Sequence, residues 1–203
     1  MTRIAVLASG RGSNLGAILD ACGRAGLPAR VVLVVSDREN AGALARARHA
    51  GVEAVFLDPK AYGDRAAYDA ALLATVEGHR PDLVCLAGFM RVLSPAFVAA
   101  WRGRLMNVHP ALLPAFPGLH AQRQALEYGV RVAGATVHFV DDGVDTGPII
   151  LQASVRVESD DTEESLSARI LVEEHCLYPE AIRLFAEGRL AIDGRRVLVR
   201  EKT

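Results

Sequence analysis

Asn107-Val108-His109 sets a carboxamide and an imidazole two residues apart in an apolar run. On an extended strand residues i and i+2 share a face, so the two groups point the same way. Pro110 follows directly, and because proline cannot continue a central strand, the pair falls at a strand's carboxyl end. An amide N–H donor beside an imidazole suits acyl transfer: one holds a developing oxyanion while the other moves a proton. The same two residues also fit a capping Asn and a hydrogen-bonded core His, and residue type and spacing leave both open.

Two further stretches have chemical potential. Ser9-Gly10-Arg11-Gly12-Ser13-Asn14 follows a short apolar run and precedes a helical pattern. The N–H groups opening a helix attract anions. The loop is not GxGxxG, since Leu15 stands at the third glycine, and it lacks the Gly-Lys-Ser/Thr ending of a P-loop. It reads either as an ordinary turn capped by Ser13 or Asn14 or as a phosphate site. Its position at the carboxyl end of the first strand favours the site. Asp141-Asp142-Gly143-Val144-Asp145-Thr146-Gly147 reads as a hairpin loop with solvated carboxylates. It lacks the spacing and the closing Glu of a calcium loop. His120, His138 and His175 lack the spacing of a zinc site, and Cys22, Cys85 and Cys176 lack CxxC spacing. No metal site is expected, and the three thiols are expected to be small, buried and reduced.

The elements that must hold these residues follow from hydrophobic periodicity. Apolar runs at residues 4–8, 31–35, 52–56 and 83–87 read as strands. Between them, Leu15, Ile18, Leu19 and Cys22 mark one helix face, residues 42–50 have helical composition, and Tyr68, Leu72, Leu73 and Val76 mark a helix over 64–77. Strands apolar on both faces, alternating with helices, predict a doubly wound, mostly parallel α/β sheet. A strand over 105–109 is followed by residues 110–130, where Pro110, Pro114, Pro117 and Gly118 break any single regular element. Residues 111–131 have the length and position of a lid, and are expected to be more mobile than the sheet. Strands at 134–140 and 149–157 flank the acidic loop. A long helical pattern at 162–187 is interrupted by Pro179, and 190–199 folds as a hairpin about Asp193-Gly194. The carboxyl-terminal part is thus expected to be antiparallel.

Composition bounds the rest. With 203 residues, 51% of them hydrophobic, the chain is expected to be one domain over 1–203 with an ample core. Lys+Arg 23 against Asp+Glu 24 gives a net charge of −1, which argues against a nucleic-acid binder. No apolar run reaches the roughly 20 residues of a membrane span and no secretory leader is visible, so a cytoplasmic protein is expected. A monomer and a homodimer fit equally well.

The motifs together resemble the folate-dependent glycinamide ribonucleotide formyltransferases of purine (IMP) biosynthesis. The resemblance rests on residues 9–15, on Leu86-Ala87-Gly88-Phe89-Met90-Arg91-Val92-Leu93-Ser94-Pro95 and on Asn107-Val108-His109-Pro110. It continues through Pro117-Gly118-Leu119-His120, residues 134–139, Val144-Asp145-Thr146-Gly147-Pro148 and Glu173-Glu174-His175. It implies a Rossmann-like formyltransferase fold and transfer of a formyl group from 10-formyltetrahydrofolate to the amine of 5′-phosphoribosylglycinamide. Asn107, His109 and Asp145 are then the catalytic set, with Asp145 orienting His109 and raising its pKa, and His138 in support. Gly12, Ser13, Asn14, Leu15 and Glu174 are implied to hold the nucleotide. Arg65, Met90, Arg91, Val92, Leu93, Asn107, Asp141, Asp142 and Asp145 are implied to hold the folate, with Phe89 and Leu93 as apolar walls. Ala111 replaces a Ser that is frequent in such sequences, which puts one local hydrogen bond in doubt.

Two enzymes on the same scaffold, methionyl-tRNA formyltransferase and formyltetrahydrofolate hydrolase, are rivals. The chain length argues against the extra domains that each carries. A non-catalytic nucleotide-binding module is a third reading, and it leaves Asn107, His109 and Asp145 unexplained together.

Overall fold

The computed structural model of the protein describes residues 1–23 and 27–201. The chain packs as two compact units, Met1–Met106 and Asn107–Thr203.

In the first unit, strands β1 (Thr2–Leu7), β2 (Ala29–Ser36), β3 (Ala54–Phe56) and β4 (Leu83–Leu86) are all parallel, in the order β3-β2-β1-β4. Ile4, Val6, Leu33, Val35, Leu83 and Cys85 are fully enclosed, as strands covered on both faces require. Helices α1 (Ser13–Gly23), α2 (Gly42–His49) and α3 (Arg65–Gly78) make the crossovers. The chain steps outward from β1 to β3 and then returns past β1 to β4. Right-handed crossovers therefore place α3 on the opposite face from α1 and α2, which is the doubly wound pattern. The switch in direction lies beside β1, where the glycine loop emerges. Gly12 has φ +73°, and a Cβ there would lie 2.7 Å from the Ala43 Cα, so the tight turn into α1 admits no side chain. Asp64 caps α3 by accepting from the Ala67 N–H at 2.8 Å.

Strand β5 (Leu105–His109) carries the chain into the second unit. There β6 (Val132–Phe139) and β7 (Ile149–Arg156) pair antiparallel, β9 (Arg196–Val199) joins β7 in parallel, and β8 (Leu190–Asp193) closes the hairpin with β9. The mostly parallel sheet with an antiparallel carboxyl-terminal part is therefore as expected. Helix α6 (Glu163–Ala186) starts in a capping box between Thr162 and Ser165.

Several local expectations are corrected. Pro179 does not interrupt α6, because Tyr178, Ala181, Ile182 and Leu184 are buried around it and packing carries the helix through. The proline-rich stretch ends in a regular helix, α5 (Ala121–Tyr128), entered through His120 at φ 58° and left through Gly129 at φ 81°. A short helix, α4 (Pro95–Ala100), capped by Ser94, fills a segment that periodicity left unassigned. Of the three thiols only Cys85 is buried, while Cys22 is half-buried and Cys176 is exposed on α6.

Candidate active site

The second unit brings four sequence-singled residues into one cluster. Asn107 and His109 lie on β5, and His109 is 4% exposed. His138, fully enclosed, comes from β6 at a point where the pairing with β7 slips: Val137 faces Leu151 but His138 faces Ile149. Such bulges re-aim a side chain beside a site. Asp145 comes from the acidic loop and has φ 53°, a left-handed backbone that a non-glycine residue adopts only when its surroundings demand it. The loop is fixed at Gly147, where a Cβ would overlap the Phe139 carbonyl, and by the Phe139 N–H donating to the Pro148 carbonyl at 2.9 Å.

Asp145 is the hub. Its Oδ2 lies 3.2 Å from His109 Nδ1 and accepts from the Gly118 N–H at 2.8 Å. Its Oδ1 accepts from Asn107 Nδ2 at 3.3 Å and stands 3.6 Å from His138 Nε2. His138 Nδ1 lies 2.9 Å from the Phe139 carbonyl, to which it donates, and Nε2 stands 3.3 Å from Asn107 Nδ2. Both Asn107 contacts sit at the long end of the hydrogen-bond range, so an oxyanion can capture either N–H at little cost.

Both nitrogens of His109 face acceptors: Asp145 on one side and, at 2.8 Å from Nε2, the Phe116 carbonyl on the other. An imidazolium satisfies both and a neutral ring satisfies one. Burial nevertheless pulls the His109 pKa below the ordinary imidazole range, against the upward pull of Phe116 and Asp145. The charge of Asp145 acts upward on this pKa, and desolvation outweighs it. Burial pushes the Asp145 carboxyl up. His138, the Gly118 N–H and the charge of His109 together overcome that push and hold it below the usual Asp range. An imidazole held by a carboxylate can take and return a proton.

The segment after β5 is anchored in its first part. Thr136, fully enclosed on β6, donates to the Ala111 carbonyl at 2.6 Å and accepts from the Leu113 N–H at 3.1 Å. Gln152 donates to the Leu113 carbonyl and to Thr136 Oγ1, both at 2.9 Å. Ala111 is thus tied to β6 through its backbone carbonyl. A lid beginning at residue 111 does not fit these bonds. Sequence reasoning missed Thr136, Gln152 and the Phe116 carbonyl, because a backbone acceptor and a buried hydroxyl leave no mark in spacing.

In the second unit, Asp141 Oδ1 accepts from the Gly143 N–H at 3.1 Å and from Thr146 Oγ1 at 2.6 Å, so it shapes its own loop, beside exposed Asp142. Glu174, implied by the resemblance to hold the nucleotide, is buried on α6. In the first unit, Gly12, Ser13 and Asn14 open α1, whereas Leu15 is fully enclosed in the core and only its backbone can meet a ligand.

Met90, Arg91, Val92 and Leu93 follow β4 and are held from three sides. The Met90 N–H donates to Ser9 Oγ at 2.9 Å, Arg65 donates to the Val92 carbonyl at 2.7 Å, and the Arg91 guanidinium lies 4.7 Å from the Tyr68 ring centroid. Met90 and Val92 are exposed, while Leu93 is buried and belongs to the core, not to an open apolar wall. Arg65, also 3.5 Å from Asp69, braces this segment from α3. Tyr68, one turn further along α3, was legible only as a core residue; burial first and the Asp37 charge second push its hydroxyl up to about 12. Among the described residues no group of three or more His, Cys, Asp or Glu is arranged to hold a metal ion, and no helix is long and apolar enough to cross a membrane.

The chain is 48% identical over 201 residues to the phosphoribosylglycinamide formyltransferase of Escherichia coli, covering 96% of this chain and 95% of that protein. It is 50% identical over 192 residues to the trifunctional purine biosynthetic protein adenosine-3 of Drosophila melanogaster, where the match takes in 94% of this chain but only 14% of the larger protein. Among solved structures, glycinamide ribonucleotide transformylase 1 from Symbiobacterium toebii superposes with a TM-score of 0.97 at 60% identity, covering 99% of this chain and 95% of that one. Residues 2–182 match the family described as formyl transferase, and with the Asn–His–Asp cluster inside that span, the chain belongs to the formyl transferase family.

Proposed function

We propose that this protein transfers the formyl group of 10-formyltetrahydrofolate to the amine of 5′-phosphoribosylglycinamide, a step of purine biosynthesis, as one catalytic domain working in the cytoplasm. The observation that carries the reading is the cluster of half-buried Asn107, buried His109 and half-buried Asp145, with the imidazole 3.2 Å from the carboxylate. The amine attacks the formyl carbon, a new C–N bond forms, and the carbonyl oxygen becomes an oxyanion. Asn107 donates an N–H to that oxygen; one such donor is worth roughly 3–4 kcal/mol in acyl-transfer enzymes. His109 handles the proton that leaves the amine and ends on the departing folate nitrogen, while Asp145 fixes the ring by accepting from Nδ1 and stabilises its charged form. His138 holds Asn107 and Asp145 in place.

The 5′-phosphate falls to the backbone N–H groups of Gly12, Ser13 and Asn14 at the start of α1, and Glu174 to the ribose. The folate falls to the backbone edge of Met90, Arg91, Val92 and Leu93, braced by Arg65, with Asp141 and Asp142 closing the pterin end through their loop. The formyltetrahydrofolate hydrolase and methionyl-tRNA formyltransferase readings find less support, since the near full-length relatives act on the ribonucleotide by name.

The test is a spectroscopic assay of formyl transfer from 10-formyldideazafolate, with and without 5′-phosphoribosylglycinamide. Turnover that requires the nucleotide supports the reading; equal turnover without it selects the hydrolase.

A further inference from the structure

The first unit carries a concentration of positive charge that the formyl chemistry leaves unused. A concavity of about 700 Å³ opens between the loop after β1 and the turn after β2, lined by Ser9, Arg11, Arg38, Asn40, Gly42 and Arg46 among others. Three of its lining residues are arginines and none is acidic: Asp37 and Glu39, next to Arg38 in sequence, do not line it. Among the described residues, no carboxylate pairs with Arg11, Arg38 or Arg46.

The hollow is built rather than incidental. Arg46, on α2, donates from Nε to the Arg11 carbonyl at 3.1 Å, which ties the glycine loop to the helix. Gly42 approaches the same carbonyl so closely that a Cβ would lie 2.9 Å from it. Ala41 caps α2 without a side-chain hydrogen bond, and the Ala43 N–H in the first turn donates to the Gly10 carbonyl at 3.1 Å, a second tie between the glycine loop and the helix. Arg38 stands two residues past the end of β2. In doubly wound sheets that is where an arginine reads an additional phosphate of a nucleotide.

The charge count selects the ligand. A phosphomonoester brings a charge of about −2 at neutral pH, short of three guanidinium groups. A polyphosphate matches them, and arginine's planar fork suits its oxygens. We propose that this hollow is a second anion site, separate from the N–H groups that open α1, for the polyphosphate of a ligand other than the formyl acceptor: free pyrophosphate or the tail of a nucleoside triphosphate. The inference rests on the first unit's own residues and not on the formyl-transfer reading.

Isothermal titration of the full chain with pyrophosphate at low salt, with neither substrate present, tests it. One saturable site is expected, with orthophosphate binding at least about tenfold more weakly, and with Arg38→Gln and Arg38→Glu each losing about tenfold or more. Arg38 is exposed, so both variants should fold, and their formyl transfer should stay within about twofold of the parent. Adenosine triphosphate binding more tightly than pyrophosphate assigns the site to a nucleotide tail; weaker binding assigns it to free pyrophosphate. No saturation by about 10 mM, binding unchanged in both Arg38 variants, or competitive displacement of pyrophosphate by 5′-phosphoribosylglycinamide would each overturn the proposal.

Discussion

Replacing Asp145 by Asn keeps the size of the side chain and removes its charge, so it isolates what the carboxylate does for His109. The two groups stand 3.2 Å apart and are largely buried. A unit charge pair at that distance is worth about 5 kcal/mol at an effective dielectric constant of about 20. That figure is a ceiling, because an amide oxygen in place of Oδ2 still accepts from His109 Nδ1 and from the Gly118 N–H. Setting a neutral hydrogen bond of about 1 kcal/mol against the ceiling leaves roughly 4 kcal/mol lost where the imidazolium forms. At 1.4 kcal/mol per decade, kcat should fall about 10³-fold. The KM for the nucleotide should change by less than about threefold, since the charge acts on the transition state and not on the bound ground state. The assay is steady-state formyl transfer from 10-formyldideazafolate, with a thermal melt as a control for folding. A kcat within tenfold of the parent, or a loss confined to KM, would refute the role given to Asp145.

Other expectations follow from the same contacts. Ring titration by NMR should place His109 below the free imidazole value and His79 above it; His79 is raised by the Thr75 carbonyl and then by Glu53, 3.0 Å away, and Glu53→Gln should lower His79 alone. The stability contributions carry opposite signs: that of His109 is present above pH about 6.5 and lost on acidification, whereas that of His79 is present below about 6.5 and lost as pH rises through its folded value. Gly147→Ala, whose Cβ would overlap the Phe139 carbonyl, should cost about 3 kcal/mol in a denaturant melt and lower turnover by disturbing the Asp145 loop. Tyr68→Leu, which removes the ring beneath Arg91, should raise the KM for the folate more than it lowers kcat, while Tyr68→Phe restores it; a loss confined to kcat would contradict that brace. Activity should rise from pH 6 to 9 as the acceptor amine, with a reference pKa of about 8, loses its proton, and a flat profile would argue against amine attack.

The strands, the glycine turn and the antiparallel ending were legible because each depends on local signals: β-branched runs on β2, Gly12 before α1, Asp193-Gly194 between β8 and β9. Asn107 and His109 were legible as a pair because strand geometry alone puts alternate residues on one face. Asp145 and His138 were not derivable as their partners, since nothing in spacing states that residues 38 and 31 positions beyond Asn107 converge on it; that step came from resemblance. The elements that escaped are those governed by packing. Pro179 is a helix breaker by propensity, yet the buried face around it keeps α6 continuous. The upward pull of Asp145 on His109 was legible by resemblance, whereas the desolvation that opposes it depends on the enclosing volume and not on a neighbour that sequence can name.

The most direct measurement follows a carbon-13 label in the formyl group of the donor by NMR during turnover with 5′-phosphoribosylglycinamide. The label is predicted to appear as an amide-bound formyl carbon on the glycine nitrogen at wild-type rates, and to slow at least about 10²-fold in His109→Ala. Label released as free formate, or transferred at an undiminished rate by that variant, would contradict the account.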